Sequence, residues 1–498
     1  MSSLEAICYN QAMLLPFLSS LLGIIAFLPL NCYPASLVFL IPLFIFFLKE
    51  NKLWRLVAGA FIFKIVFALG AAYFTLEPIA WASELLIIFF LPLNIWLAKK
   101  LLHHLCQSQP INFFNKELAL LFLLPFLFTL SDILQARFSL LPSYIMAAGN
   151  SLGSSPFLGL AGLGGITFLT FFAALINALL AALFLKLRSL YKNKNNSPAP
   201  EKKTCFVLAA LLVLALLAGW LISFWQLNKN TDEYNSKTSI IKIAVLSAKE
   251  SLYPAQFEET KKELTKQQID LLVLPENIFY DPANPAYFSN NYTGFMQNLA
   301  QEIGANVIAV FDTFQEQKKY NSAVLFNKLG ETIGIHSKFR ITFAGEYWPF
   351  GSWQPPLSDL LKKSSPEIKN FAVFDPKNAY SRGQQNNLNI VSQNKSVVFA
   401  APVCLEIQYP DDLKYYRQTG AQFIVNPSSN RWVGTGLKHF LYLTGNLKKI
   451  EAVWLGLPVI SSGVKDYAGL TLPNGQTFLK DSLESNLNYT LFFGEIKY

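Results

Sequence analysis

Three residues of complementary chemistry stand at or just beyond the ends of short β-branched runs. Cys404 follows Ser396–Ala401 (SVVFAA), in Pro402-Val403-Cys404-Leu405-Glu406. Glu276 ends Leu272-Val273-Leu274-Pro275-Glu276, and Lys338 follows Gly334-Ile335-His336-Ser337. Ligands of open α/β sheets bind outside the carboxyl ends of strands, so a thiol, a carboxylate and an amine in these places are candidates to meet at one edge. A thiol ionises near pH 8.5, about one unit or more above neutrality, and needs a base or a cationic neighbour to act as a nucleophile. The carboxylate and the amine could supply these. Four of the five cysteines (Cys8, Cys32, Cys106 and Cys205) lie in the first half of the chain, so Cys404 has no disulfide partner in its own half. Taken alone, it reads either as a small core residue or as a sheltered reactive thiol.

The elements that would carry these groups alternate. Ile240–Leu246, Asp270–Leu274, Asn306–Phe311, Ser322–Phe326, Glu331–His336, Ser396–Ala400, Gln422–Val425 and Pro458–Ser461 read as strands. Pro254–Gln268 and Tyr292–Ile303 read as helices. Short β-branched runs alternating with amphipathic helices predict an α/β sheet layered with helices, and this half of the chain is long enough for a full core.

The first half is of another kind. Of the 498 residues 52% are hydrophobic and only 15% charged, with a mean hydropathy of +0.32, which excludes a disordered chain and a wholly soluble one. Runs of roughly 20 apolar residues mark spanning helices, and seven are expected, near 12–30, 33–48, 53–74, 79–98, 117–134, 157–185 and 204–225. The first has only Glu5 before it and no basic residue, unlike a cleaved signal peptide. The formal charge of +9 is concentrated here: residues 1–225 hold 14 Lys/Arg against 7 Asp/Glu, and the remainder 27 against 25. Alternate loops carry Lys49, Lys52 and Arg55; Lys99, Lys100 and Lys116; and Lys186, Arg188, Lys192, Lys194, Lys202 and Lys203, whereas the other loops carry only Arg137. By the positive-inside rule the basic loops and the N-terminus are cytoplasmic, and everything after Trp225 lies outside the cytoplasm. The basic excess thus reads as topology, not as a nucleic-acid footprint. Lys64 falls inside the third span, with Glu84 and Asp132 as possible partners. The polar stretch Asn228–Lys237 is expected to link the last span to the globular part.

The order Glu276, Lys338, Cys404, with Cys404 in a C-x-E context, resembles the carbon–nitrogen hydrolase (nitrilase) superfamily. Spans ahead of such a domain resemble, within it, the apolipoprotein N-acyltransferases. Lys338-Phe339-Arg340-Ile341-Thr342-Phe343-Ala344-Gly345-Glu346-Tyr347 is similar to the family stretch in which a Lys precedes Gly-Glu-aromatic. Asn426-Pro427-Ser428-Ser429-Asn430-Arg431-Trp432 is similar to its Asn-rich, Trp-containing loop. His439, Glu451, Ser461–Gly469 and the Gly-rich span Pro156–Asn177 match further landmarks. Leu405 and Leu274 stand where the family usually has an aromatic and a Trp, Phe343-Ala344 where it has Pro-Phe, and the chain is expected to end without the family's last span.

The resemblance implies a transmembrane helical domain over 1–227 and an extracytoplasmic α-β-β-α nitrilase-like sandwich over 228–498, held in a bacterial cytoplasmic (inner) membrane. It implies Glu276 as general base, Lys338 as the oxyanion's cation and Cys404 as nucleophile. Glu346 and Glu406 would support them, and Tyr347, Trp348 and Trp432 would bind substrate. The implied reaction moves an acyl chain from a phospholipid, through a Cys404 thioester, to the N-terminal amine of a lipidated apolipoprotein, with no cofactor, metal or nucleic acid. A membrane-tethered amidase and a non-catalytic lipoprotein-binding paralogue are the rival readings. Loops 281–291 and 352–366 are expected at the mouth of the site.

Overall fold

The computed structural model describes residues 3–71, 89–108, 116–138, 144–192, 199–252, 257–279, 285–342, 346–348, 379–433, 436–481 and 488–498. The chain divides into two compact units, Met1–Gln226 with Lys438–Ile450, and Leu227–Leu437 with Glu451–Tyr498.

The first unit is helical. Its described helices are α1 (Ser3–Phe27), α2 (Tyr33–Ser36), α3 (Ile41–Lys49), α4 (Leu53–Ala71), α5 (Phe90–Ser108), α6 (Lys116–Phe138), α7 (Ala161–Lys192) and the start of α8 (Ala199–Asn235). Three helices among the described residues are long and apolar enough to cross a membrane: Leu53–Ala71, Leu158–Tyr191 and Lys202–Asn235. Met13–Phe27 and Tyr33–Lys49 are shorter apolar stretches.

The expected second span, 33–48, is not one helix. Pro34 and Pro42 lack an amide hydrogen, so each suits the first turn of a helix and not its interior, and the segment breaks into α2 and α3. Asn177 of α7 satisfies the broken backbone. Its Oδ1 accepts from the Leu40 amide at 2.8 Å, and its Nδ2 donates to the carbonyls of Ser36 and Ala173 at 2.9 and 2.8 Å. Irregular backbone at membrane depth persists only where protein groups take up its hydrogen bonds.

Lys99, expected in a loop, lies within α5, where its ammonium donates to the carbonyls of Leu48 and Glu50 and caps the open end of α3. Asp132 faces the charge of Lys64 and accepts from the Ala148 amide at 3.2 Å, while Glu84 lies outside the described residues. The Gly-rich segment has a steric reason. A Cβ on Gly159 would lie 2.1 Å from the Ser223 carbonyl oxygen, a distance only glycine permits.

The second unit holds the sheets. Its strands are β1 (Ile240–Ala248), β2 (Leu271–Glu276), β3 (Asn306–Gln315), β4 (Lys318–Phe326), β5 (Thr332–Ser337), β6 (Asn387–Ser392), β7 (Lys395–Ala400), β8 (Ile424–Ser429), β9 (Val459–Val464), β10 (Tyr467–Thr471), β11 (Thr477–Asp481) and β12 (Tyr489–Lys497). They run β12-β1-β2-β3-β4-β5 in one layer and β6-β7-β8-β9-β10-β11 in the other, and the layers meet at the single pair Ala248–Val464. Inward residues of both layers, among them Ile243, Val273, Val310, Phe399, Val425 and Ile460, form one buried core. Helices α9 (Glu258–Gln267) and α10 (Pro285–Ile303) cover the first layer, with Leu264, Met296 and Leu299 packed beneath them. Helix α11 (Pro410–Gln418) and the last turn of α12 (Leu437–Leu455) cover the second through Leu413, Tyr416, Ala452 and Leu455. This is an α-β-β-α sandwich.

One expectation about a connection changes, and one strand is new. Asn228–Lys237 is helical as far as Asn235, because α8 continues beyond its apolar part. The C-terminal segment forms β12, paired with β1 along its whole length from Ile240–Lys497 to Ala248–Tyr489.

Glu451 of α12 is fully buried, and among the described residues neither of its side-chain oxygens has a hydrogen-bond partner. Burial pushes its carboxyl up to about 8. A carboxyl raised in the folded state favours folding below its unfolded pKa, and that contribution is lost as pH climbs toward the folded value. Glu451→Gln is therefore expected to match the parent near pH 5 and exceed it at pH 8 by on the order of 4 kcal/mol. Denaturant unfolding at both pH values reads the difference. Equal gains at both would refute the assignment.

Candidate active site

The strand ends bring Glu276, Lys338 and Cys404 together within the second unit. Glu276 is the last residue of β2 and is buried at 6% exposure. Its Oε1 accepts from Asn321 Nδ2 of β4 at 2.7 Å, and it shares a hydrogen bond with the Cys404 thiol. Lys338, one residue past β5 and 2% exposed, donates from Nζ to Glu346 Oε1 at 2.8 Å. The other hydrogen of Asn321 Nδ2 reaches the same Glu346 oxygen at 2.9 Å. A buried amide and a buried ammonium thus hold two carboxylates.

Cys404 opens the short 3-10 turn Cys404–Gln408 with φ +54°, a left-handed conformation that costs a non-glycine residue about 1–3 kcal/mol and recurs at functional sites. The surrounding structure holds it there. Asn426 Nδ2 donates to the carbonyls of Pro402 and Cys404 at 2.9 and 3.0 Å, gripping the peptides just before Val403 and just after Cys404. Glu406 Oε2 accepts from the Val403 amide at 2.7 Å. The Ser429 amide, at the end of β8, donates to the Cys404 sulfur.

Charge explains the protonation states. Burial pushes the Glu276 carboxyl above the ordinary range; Lys338 opposes this and Glu346 adds to it. For Lys338, burial would lower the ammonium, but Glu346 and Glu276 outweigh it and keep it protonated. Burial and then the Glu276 charge push the Cys404 thiol up, against Lys338 and the Ser429 amide. The arrangement is a neutral thiol poised on a carboxylate beside a permanent cation. It can move the thiol proton onto Glu276 as the sulfur attacks, with positive charge ready for a developing oxyanion.

Glu406 does not touch the sulfur. Burial would raise its carboxyl, yet His336 and the amides around it hold it below the ordinary range. Its Oε1 accepts from the amides of Phe339 and Arg340 at 2.7 and 3.0 Å, and its Oε2 meets His336 Nε2 at 3.1 Å. One carboxylate therefore joins the segment after Lys338 to the turn bearing Cys404. Arg340 fixes the same segment to α11 by a two-point contact with Asp412 at 2.6 and 2.8 Å. Trp348 is buried, whereas Tyr347 and Trp432 are half-buried. The expected mouth loops fall largely outside the described residues: 352–366 entirely, and 281–284 with the side chains of 285–291.

Sequence reasoning missed Asn321 and His336. Neither stands out by type, since Asn321 lies beside Lys318, Lys319 and Ser322 in β4 and His336 beside Ser337 in β5, and only their contacts mark them. Asn426 was visible within the Asn-rich loop, but its task of holding the strained turn depends on a contact 22 positions away in the chain.

Comparison with known proteins agrees with this architecture. Residues 225–461 match the carbon-nitrogen hydrolase family, and residues 19–179 match the apolipoprotein N-acyltransferase N-terminal domain. The apolipoprotein N-acyltransferase of Haemophilus influenzae is 23% identical over 496 residues, spanning 94% of this chain and 88% of that protein. That of Pasteurella multocida is 23% identical over 466 residues, spanning 89% and 82%. Among solved structures, the carbon-nitrogen hydrolase from Helicobacter pylori G27 is similar at 16% identity and a TM-score of 0.38, covering 52% of this chain and 89% of that one. With both halves matched in order and relatives aligned over nearly its full length, the chain belongs to the apolipoprotein N-acyltransferase family of the carbon–nitrogen hydrolase (nitrilase) superfamily.

Proposed function

We propose that the protein transfers an acyl chain from a phospholipid to the N-terminal amine of a diacylglyceryl-cysteine on apolipoproteins, by way of a thioester on Cys404. The observation that carries this reading is the hydrogen bond between the Cys404 thiol and buried Glu276, beside the Lys338–Glu346 pair. Glu276 takes the thiol proton as the sulfur adds to the ester carbonyl, and Lys338 faces the oxyanion. As the tetrahedral adduct collapses, the ester C–O bond breaks and Glu276 returns the proton to the leaving lysophospholipid oxygen. The acceptor amine then attacks the thioester and gives its proton to Glu276. The C–S bond breaks, the amide is released, and the thiol is restored. Splitting the transfer into two displacements lets one nucleophile serve two substrates in turn.

Both proposed substrates carry lipid chains, which gives the apolar helices a purpose. In this reading residues 1–227 form a transmembrane domain of about seven spans with the N-terminus in the cytoplasm. Residues 228–498 form the catalytic domain on the extracytoplasmic face of the inner membrane. Twelve basic residues flanking alternate ends of the apolar runs, against one at the other ends, support that topology. Glu346 holds Lys338, Glu406 positions the nucleophile turn, and Tyr347, Trp348 and Trp432 bind the lipid chains.

The reading is tested with a phospholipid labelled in its acyl chain and a synthetic peptide bearing an N-terminal diacylglyceryl-cysteine. Label should appear in the peptide as an amide, with lysophospholipid released in equal amount, and should vanish with Cys404→Ala. Release of free fatty acid with no labelled peptide would favour the hydrolytic rival, and no turnover of either kind would favour the binding paralogue.

A further inference from the structure

Arg431 sits in the Asn-rich loop just beyond β8, with none of the catalytic tasks described above. Its Nη2 donates to the Asn277 carbonyl at 2.9 Å and to Ser251 Oγ at 2.8 Å, and its Nη1 reaches Ser429 Oγ at 3.4 Å. These acceptors belong to three separate strand ends, those of β1, β2 and β8. Two of them adjoin the reacting groups. Asn277 directly follows Glu276, and Ser429 gives its amide hydrogen to the Cys404 sulfur.

Asn277 also needs holding. Its φ is +50°, a region that few non-glycine residues occupy. Its amide donates to the Val310 carbonyl at 2.9 Å, which leaves its carbonyl to be fixed from the other side. Arg431 does this with a planar, permanently charged group whose fixed donors can hold several acceptors at once, which a lysine cannot.

We propose that Arg431 is a positioning residue for the acyl transfer: it locks the peptide behind Glu276 and the strand end facing Cys404 into one frame, so that carboxylate and thiol stay within hydrogen-bond reach. The inference rests on the base-and-nucleophile reading of that pair. It predicts that Arg431 acts through Glu276 and not through stability alone.

The test is the rate of Cys404 alkylation by iodoacetamide in the full-length protein, followed at the Cys404 peptide by mass spectrometry. Arg431→Met is expected to slow alkylation at least about tenfold when Glu276 is present, since displacement of a reacting group by a fraction of an ångström has effects of this order. In a Glu276→Gln background, with no base left to position, the same change should slow it less than about twofold. Arg431→Lys, able to hold one carbonyl, should fall between the parent and Arg431→Met. Equal slowing in both backgrounds, or none in either, would overturn the proposal. If Arg431→Met does not fold, Arg431→Lys in the two backgrounds decides the matter by the same criterion. Alkylation needs no phospholipid, so a parent protein that shows this coupling but transfers no acyl chain would refute the proposed function and leave the positioning role standing.

Discussion

Glu276→Gln is expected to lower the rate of acyl transfer by about 10²–10⁴-fold, the usual range for loss of a positioned general base. Gln can still accept from Asn321 and keep the shape of the site, so the fold should survive. It cannot take the proton that the Cys404 thiol must lose, and burial still opposes ionisation of that thiol when the Glu276 charge is gone. The pH profile gives an independent signature. Because burial raises the Glu276 carboxyl, the rate should fall as pH drops through a value above that of an ordinary carboxylate, and this acidic limb should disappear from the residual activity of Glu276→Gln. A residual limb at the same pH in the variant would assign the base to another group.

Lys338→Met is the second large effect, and it combines a catalytic with a structural loss. Removing one donor to a developing oxyanion typically costs about 10²–10³ in rate. Here the ammonium also offsets the charge of Glu276 and Glu346, which share the single amide of Asn321. Breaking a buried ion pair from one side costs about 3–5 kcal/mol, and Lys338 is 2% exposed, so solvent offers little relief. The variant should unfold at lower temperature, and its remaining activity should need a higher pH, since Glu276 would lose the charge that holds its carboxyl down. Rate per folded molecule, with thermal unfolding measured alongside, separates the two losses. A fully folded variant within tenfold of the parent would remove Lys338 from the chemistry.

The second unit was legible in the sequence wherever strands alternate with helices. β1, β2 and β3 each carry an apolar run (IAVL, LLVL and VIAVF), because these stretches are buried on both faces. Hairpin turns were harder to see: Asn306–Phe311 and Ser322–Phe326 were expected as strands, but not their continuation to the pair Gln315–Lys318. The β3–β4 connection turns at Glu316 and Gln317 and the β6–β7 connection at Gln393 and Asn394, all with positive φ. That geometry is usually signalled by Asn-Gly or Asp-Gly, so Glu-Gln and Gln-Asn gave no warning, and β6 went unseen. β12 was missed for another reason: Tyr489–Lys497 is assigned only by its partner β1, nearly 250 positions away in the chain. In the first unit, Pro34 and Pro42 marked the break between α2 and α3, but the repair by Asn177 is a tertiary fact. The three candidate groups were legible because a thiol, a carboxylate and an amine at strand ends are conspicuous by type. Asn321, His336 and Arg431, which hold those groups or their neighbours, were not, because an amide, an imidazole or a guanidinium acquires such a task only from what it touches.

In the proposed reaction Cys404 carries the acyl chain. Intact-protein mass spectrometry after incubation of the purified protein with phospholipid tests it most directly, with Cys404→Ala in parallel. A hydroxylamine-labile mass increase equal to one acyl chain, on the parent alone and discharged by an apolipoprotein peptide with a free amine, is the predicted result. Folded, membrane-inserted protein that gains no such mass, or that gains it equally in Cys404→Ala, would contradict it.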